Sequence, residues 1–332
     1  MSHAPASSPT AAPVYSWGST RPFNAYGTWI KERFGERIQK LSVDAGFTCP
    51  NRDGVKAYGG CTYCNNASFV PPYCQPGMSV AEQVRAGIDF FRQRYGAERF
   101  FVYFQAYSNT YAPLDFLKQL YGQALDQPGV IGLAIGTRPD CVEPAKIDYL
   151  ASLAKTHFIS LEYGLESRFD RSLERLNRAA TVREWEEAMA MSAGRGLHLV
   201  THLILGLPGE TRDEMVETAD WLSGFPLDSL KLHHLHIVEK TALATEYRRD
   251  PFPLFAFEDY RELVVDFLER LRPDITLQRL VGETHPEHLI APTWNVHAGT
   301  ATRLIEERLM ERGSWQGKYW NGGSGRRNGI RQ

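Results

Sequence analysis

The chain predicts an α/β fold in which six parallel strands alternate with helices and curl fully or partly into a barrel. Two observations carry this prediction. Strand-length segments recur along the chain with helical stretches between them, and nearly every unusual polar cluster falls just after a strand. In βα barrels the C-terminal strand ends form the active-site face, so those clusters are expected to converge around one mouth.

The elements follow in order. Residues 37–43 read as a strand that runs straight into a loop carrying Cys49. Ser79 with Glu82 forms a capping box opening a helix whose apolar residues Val80, Val84, Ile88 and Phe91 fall at helical spacing. Further strands are predicted at 99–105, 130–136, 158–162, 198–205 and 230–238, with helical stretches near 113–125, 144–154, 167–193 and 211–223. A second capping box, Thr211 with Glu214, opens the last of these. A helix over 257–271 and a strand over 275–280 follow the sixth strand.

At 332 residues, 43% hydrophobic and 23% charged, the chain can bury a core of barrel size. A formal net charge of -2 argues against a wholly basic nucleic-acid binder. Five cysteines, three of them tightly grouped, suit a reducing compartment better than a disulfide framework. The segment 1–22 is rich in Ala, Pro and Ser without a basic or a continuous apolar stretch, and reads as a disordered leader rather than a signal peptide. With no run long enough to span a bilayer, the expected location is cytoplasmic.

Cys49, Cys61 and Cys64 are the most informative residues. Three clustered thiolates make an incomplete ligand set, because a [4Fe–4S] cluster normally takes four cysteines; a site that supplies three leaves one iron open to bind and reduce a substrate. A structural zinc site wants four closed ligands, and the nearby fourth candidate is Cys74. Unrelated buried thiols are the third reading. Among the histidines, His234 and His236 share a strand face near His233, but two histidines without a carboxylate read as polar residues of the barrel mouth.

Four segments in order, namely the cysteine loop, Phe104 to Pro113, Gly136 to Cys141 and Thr201 to Glu210, resemble the YhcC-like (YtqA-like) branch of the radical S-adenosylmethionine (SAM) enzymes, which is related to the radical SAM domain of the elongator catalytic subunit. The resemblance implies a partial (β/α)6 barrel of the TIM type over 23–255, a short C-terminal α/β extension over 256–312 and a tail over 313–332. It implies that Cys49, Cys61 and Cys64 hold a [4Fe–4S] cluster whose open iron chelates SAM, and that reductive cleavage releases a 5′-deoxyadenosyl radical. It also implies a reductant such as flavodoxin or ferredoxin.

By the same resemblance Tyr63 lies beside the adenine, Glu166 and Arg178 contact the ribose and the methionyl carboxylate, His202 lies on the ribose side, and Gly206 and Gly209 admit the adenine close to the backbone. Gln105 stands where many relatives have the Gly-Gly-Glu that holds the amino group, and Asn177-Arg178-Ala179-Ala180 stands where related chains read Asn-Arg-Gly-His. The implied substrate is transfer RNA, at the side chain of a wobble uridine; the roughly 90 residues after the sixth strand are too few for the elongator subunit's acetyltransferase domain as well. A tail with Arg312, Lys318, Arg326, Arg327 and Arg331 interleaved with Trp315, Tyr319 and Trp320 suits phosphate contact and base stacking, or else is a solvated tail. The rival readings are a radical SAM enzyme acting on a small metabolite and a nonenzymatic, zinc-stabilised RNA-binding protein.

Overall fold

Two faces are written into the strands. In β6 (Ser229–His234) Leu230 and Leu232 alternate with Ser229, Lys231 and His233; in β4 (Phe158–Glu166) Ile159, Leu161, Tyr163 and Leu165 alternate with Ser160, Glu162 and Gly164. The apolar sets are buried against helices in one continuous core. The computed structural model, which describes residues 13–65, 71–75 and 77–322, turns the polar sets toward one another. Lys40 on β1 (Gln39–Val43) and Lys231 on β6 both reach Glu162 on β4, a meeting that only a curled sheet permits.

The sheet has seven parallel strands in the order β1, β2 (Phe100–Phe104), β3 (Val130–Thr137), β4, β5 (His198–Leu205), β6 and β8 (Thr276–Arg279). This half-barrel is the expected α/β architecture, with the strand expected over 275–280 added to the same sheet as its seventh member. Helices cover the outside: α2 (Val80–Tyr95), α3 (Leu114–Leu125), α4 (Pro144–Leu153), α6 (Val182–Ser192), α7 (Arg212–Leu222) and α9 (Phe257–Arg270). Both predicted capping boxes form, at Ser79 with Glu82 and at Thr211 with Glu214.

Three departures from the sequence reading have local causes. The single stretch expected over 167–193 is two helices, α5 (Asp170–Arg175) and α6, because Asn177 and Ala179 take left-handed φ of 49° and 48° and Thr181 starts a new capping box with Glu184. The strand expected over 230–238 breaks after His234; β7 (Ile237–Val238) instead pairs antiparallel with β9 (Leu289–Ala291). Helices α1 (Tyr26–Phe34), α8 (Ala242–Arg249) and α10 (Ala298–Glu311) were not anticipated.

Helix α1 closes the N-terminal end of the barrel. Trp29 stacks on His198 at 4.9 Å between ring centroids, and Ile30, Ile38 and Phe101 are buried beside it. The interior is therefore reached from the C-terminal ends of the strands.

Of the segment 1–22, residues 1–12 lie outside the described residues, and Tyr15 stacks on Trp17 at 4.9 Å while Arg21 pairs with Glu306. Packed chain thus begins before residue 23. In the tail, Gln316 is fully buried; it accepts from the Asn24 amide (2.9 Å) and donates to the carbonyls of Arg272 (2.9 Å) and Ile275 (2.8 Å). Arg312 is paired with Asp266 and Glu269, while Arg326, Arg327 and Arg331 lie outside the described residues.

Candidate active site

The loop after β1 is shaped by tight turns. The Cys49 carbonyl accepts from the amides of Arg52 (2.9 Å) and Asp53 (3.3 Å), and the Cys61 carbonyl accepts from Cys64 (3.1 Å). Asn177 ties the loop to the α5–α6 connection by donating to the carbonyls of Tyr58 (3.0 Å) and Gly60 (2.8 Å). These turns bring Cys49, Cys61 and Cys64 to one pocket at the barrel mouth, which Tyr63, Gln105, Glu166, Arg178 and His202 also line. Gly206 is not among the lining residues. Its left-handed φ of 91° and the ring of Phe255, 2.9 Å from where a Cβ would sit, explain a glycine there by turn and packing.

Each thiol has a polar neighbour. Asn51 Nδ2 (3.3 Å) and Arg178 Nη1 (3.6 Å) donate to Cys61 Sγ, the Ser108 hydroxyl lies 3.2 Å from Cys49 Sγ, and the Arg52 guanidinium attracts Cys64. Donors of this kind favour the thiolate. Burial works against them: it pushes the Cys64 thiol up to about 12, and it raises Cys49 despite Ser108, Arg138 and Arg178. Thiols so placed ionise when a metal replaces the proton, so loading releases protons.

The donor set fits an iron–sulfur cluster. Cys49, Cys61 and Cys64 line one pocket, and a cubane takes each thiolate on a different iron. Cys74 lines a different pocket, with Asp44, Met78 and Gln83, and its Sγ donates to the Ser42 carbonyl at 3.7 Å.

Beside the thiols, a bulge in the β4–β5 pairing gives Glu166 a left-handed φ of 69° and turns its carboxylate toward the pocket. Arg178 Nη2 lies 3.7 Å from it and donates to the Gly164 carbonyl at 2.6 Å, while Arg178 Nε is buried without a partner. A Cβ on Gly164 would lie 2.5 Å from Glu166 Oε1 and 2.7 Å from Arg178 Nη2, so the pair sits in a cradle only glycine leaves open. Arg138, held by both oxygens of Asp140 at 2.9 Å, donates to the carbonyls of Arg178 (2.6 Å) and Ala179 (2.9 Å). Burial raises Glu166 despite Arg178 and Tyr63.

Deeper in the pocket is a charged layer that the sequence reading missed. Glu162 is fully buried among Lys40 (3.2 Å), Lys231 and His202 (3.1 Å), and Lys231 also bonds the Tyr103 hydroxyl at 3.1 Å. Burial would raise Glu162, but Lys231, Lys40 and His202 hold it well below the usual carboxylate range. Burial, with Lys40 and Arg279 adding to it, pulls Lys231 down to about 7 against the attraction of Glu162. His202 is lowered to about 4 by burial and Lys231 and is neutral near pH 7. The available signal was alternation: helix-covered parallel strands are ordinarily apolar on both faces, so Ser229, Lys231 and His233 on one side mark an interior that is a site.

The Radical SAM superfamily model matches residues 49–222, and the model of the Radical_SAM C-terminal domain matches 227–311. The chain belongs to the radical SAM superfamily. Protein YhcC of Escherichia coli strain K12 is 34% identical over 301 residues, 90% of this chain and 96% of that protein, which assigns the YhcC-like branch. The tRNA uridine(34) acetyltransferase of Methanocaldococcus jannaschii is more distant, 26% identical over 141 residues, 40% of this chain and 25% of that protein. The structure of Methanocaldococcus infernus Elp3 superposes with a TM-score of 0.64 at 14% identity over 84% of this chain and 64% of that one, a likeness of fold. This radical SAM enzyme uses a [4Fe–4S] cluster and SAM. Among its described residues no helix is long and apolar enough to cross a membrane.

Proposed function

We propose that Cys49, Cys61 and Cys64 hold the cluster, that Glu166 and Arg178 orient SAM, and that the substrate entering the barrel is part of a transfer RNA, with a uridine side chain as the reacting group. When bound, the cluster supplies the electron that splits the SAM sulfonium and yields a 5′-deoxyadenosyl radical, which takes a hydrogen atom from the substrate. Carboxylate and guanidinium suit the ribose hydroxyls and the methionyl carboxylate in turn. Tyr63 packs with Leu176 and Ile204, an apolar surface for the adenine, and Gln105 lines the same pocket. Arg138 and Asp140 hold the Arg178 loop, so the guanidinium is set before SAM arrives.

The observation that carries this reading is a single pocket joining three thiols, a cradled Glu–Arg pair and a polar barrel interior. The RNA half rests on the distant likeness to the tRNA uridine(34) acetyltransferase. A small-metabolite substrate is favoured by a different observation: in the described tail Arg312 is spent on Asp266 and Glu269, and Gln316 on packing. Anaerobic reconstitution with iron and sulfide, followed by incubation with SAM, dithionite and bulk transfer RNA, separates the readings. Altered nucleosides together with 5′-deoxyadenosine support RNA; 5′-deoxyadenosine with unchanged nucleosides refutes it and leaves the radical chemistry standing.

A further inference from the structure

Arg279 ends β8 inside the barrel, across the pocket from the cysteine loop. It faces inward because of a bulge: Leu230 pairs with Leu277, but Lys231 pairs with Arg279, so Gln278 is an extra residue and Arg279 shares the inner face with Lys231. Bulges re-aim side chains at sites of this kind.

The guanidinium is short of counter-charge. Its Nη2 bonds His233, its Nε is buried with no hydrogen-bond partner, and among the described residues no carboxylate lies within ion-pair distance of it. Glu162 attracts it from a distance but is already engaged by Lys40 and Lys231, and Glu283 at the pocket wall acts on it without contact. Tyr103 faces the same space, with its hydroxyl bonded to Lys231. His233 is held neutral by burial and by Arg279 itself, so it contributes no charge of either sign. Lys40 and Lys231 thus take up the buried carboxylate nearby, and among the described residues the Arg279 guanidinium lines the cavity without a carboxylate of its own.

We infer that Arg279 seats an oxyanion of the substrate, a carboxylate or a phosphate, which it grips through its terminal nitrogens as a fork. The inference rests on the reading of this pocket as the substrate chamber, and it adds the chemical class of the group that enters it. The oxyanion anchors the substrate at the β6–β8 side and leaves the rest of the molecule directed at the thiol side.

The test uses the full-length enzyme, anaerobically reconstituted and saturated with SAM, and measures binding of inorganic phosphate, acetate, uridine 5′-monophosphate and uridine by calorimetry. Phosphate, acetate or the nucleotide should bind the wild type at least tenfold more tightly than Arg279→Gln, with iron content and SAM affinity equal in both. Nucleotide binding that depends on Arg279, with none by uridine, assigns the oxyanion to a nucleotide; free phosphate or acetate binding alone assigns it to a small acid. Arg279→Lys keeps the charge without the fork and should bind the probe several-fold more weakly than wild type, which decides the matter if the glutamine variant does not fold. Equal affinity of wild type and either variant overturns the inference, as does a fall in SAM affinity parallel to that for the probe. Failure of the radical reading is seen separately, as absent 5′-deoxyadenosine from the wild type.

Discussion

At the scale of single residues, Gly164 and Glu162 carry the sharpest consequences. Gly164→Ala puts a methyl 2.5 Å from Glu166 Oε1 and 2.7 Å from Arg178 Nη2, so the ends of these side chains must shift. If these residues hold SAM through charge-assisted bonds of about 1.5–3 kcal/mol, affinity for SAM should fall roughly 10- to 150-fold while the iron content stays. Unchanged SAM affinity in a folded Gly164→Ala protein would remove the pair from the cofactor seat. Glu162→Gln leaves Lys40 and Lys231 facing each other in the barrel without their carboxylate. Breaking a buried ion pair on one side costs about 3–5 kcal/mol, so denaturant midpoints should drop steeply, and the double change with Lys231→Met should recover part of the loss. Additive losses would mean that the two side chains are not coupled.

At the scale of elements, the contact of α1 with β5 makes the fold sensitive to acid. His198 donates or accepts across to Ser229 at 2.7 Å and stacks under Trp29; burial, with Lys40 adding to it, lowers it to about 3 from 6.5. The folded state therefore resists a proton that the unfolded chain accepts between those values, and stability present above pH 6.5 is lost as the pH falls toward 3. One such proton contributes a slope of about 1.4 kcal/mol per pH unit. His198→Gln should be less stable at neutral pH yet lose stability less steeply in acid; parallel pH profiles would place the acid sensitivity elsewhere. The same element shows why part of the fold was illegible. Helix α1 has no acidic residue in its first turn and no side-chain cap, whereas α2 and α7 announce themselves by capping boxes. The α5–α6 break needed Ala179 in a left-handed conformation, which its residue type does not signal.

At the scale of the whole molecule, the sequence carried the order of βα units and the cysteine loop, because spacing and loop position are properties of the chain itself, whereas the Glu166–Arg178 pair came only through the resemblance to the family. Lys40, Glu162, Lys231 and Arg279 are scattered over four strands, and curling the sheet is what makes them neighbours. Cys74 is the converse: near Cys64 in sequence, it faces a different pocket. That separation gives the most direct test of the central claim, that three cysteines and not four hold a catalytic cluster. Iron, sulfide and 5′-deoxyadenosine should be measured side by side for reconstituted wild type, Cys61→Ala and Cys74→Ala. Wild type and Cys74→Ala should hold about four irons and four sulfides per chain and cleave SAM, and Cys61→Ala should lose both. One zinc without sulfide, lost equally from Cys61→Ala and Cys74→Ala, would contradict it.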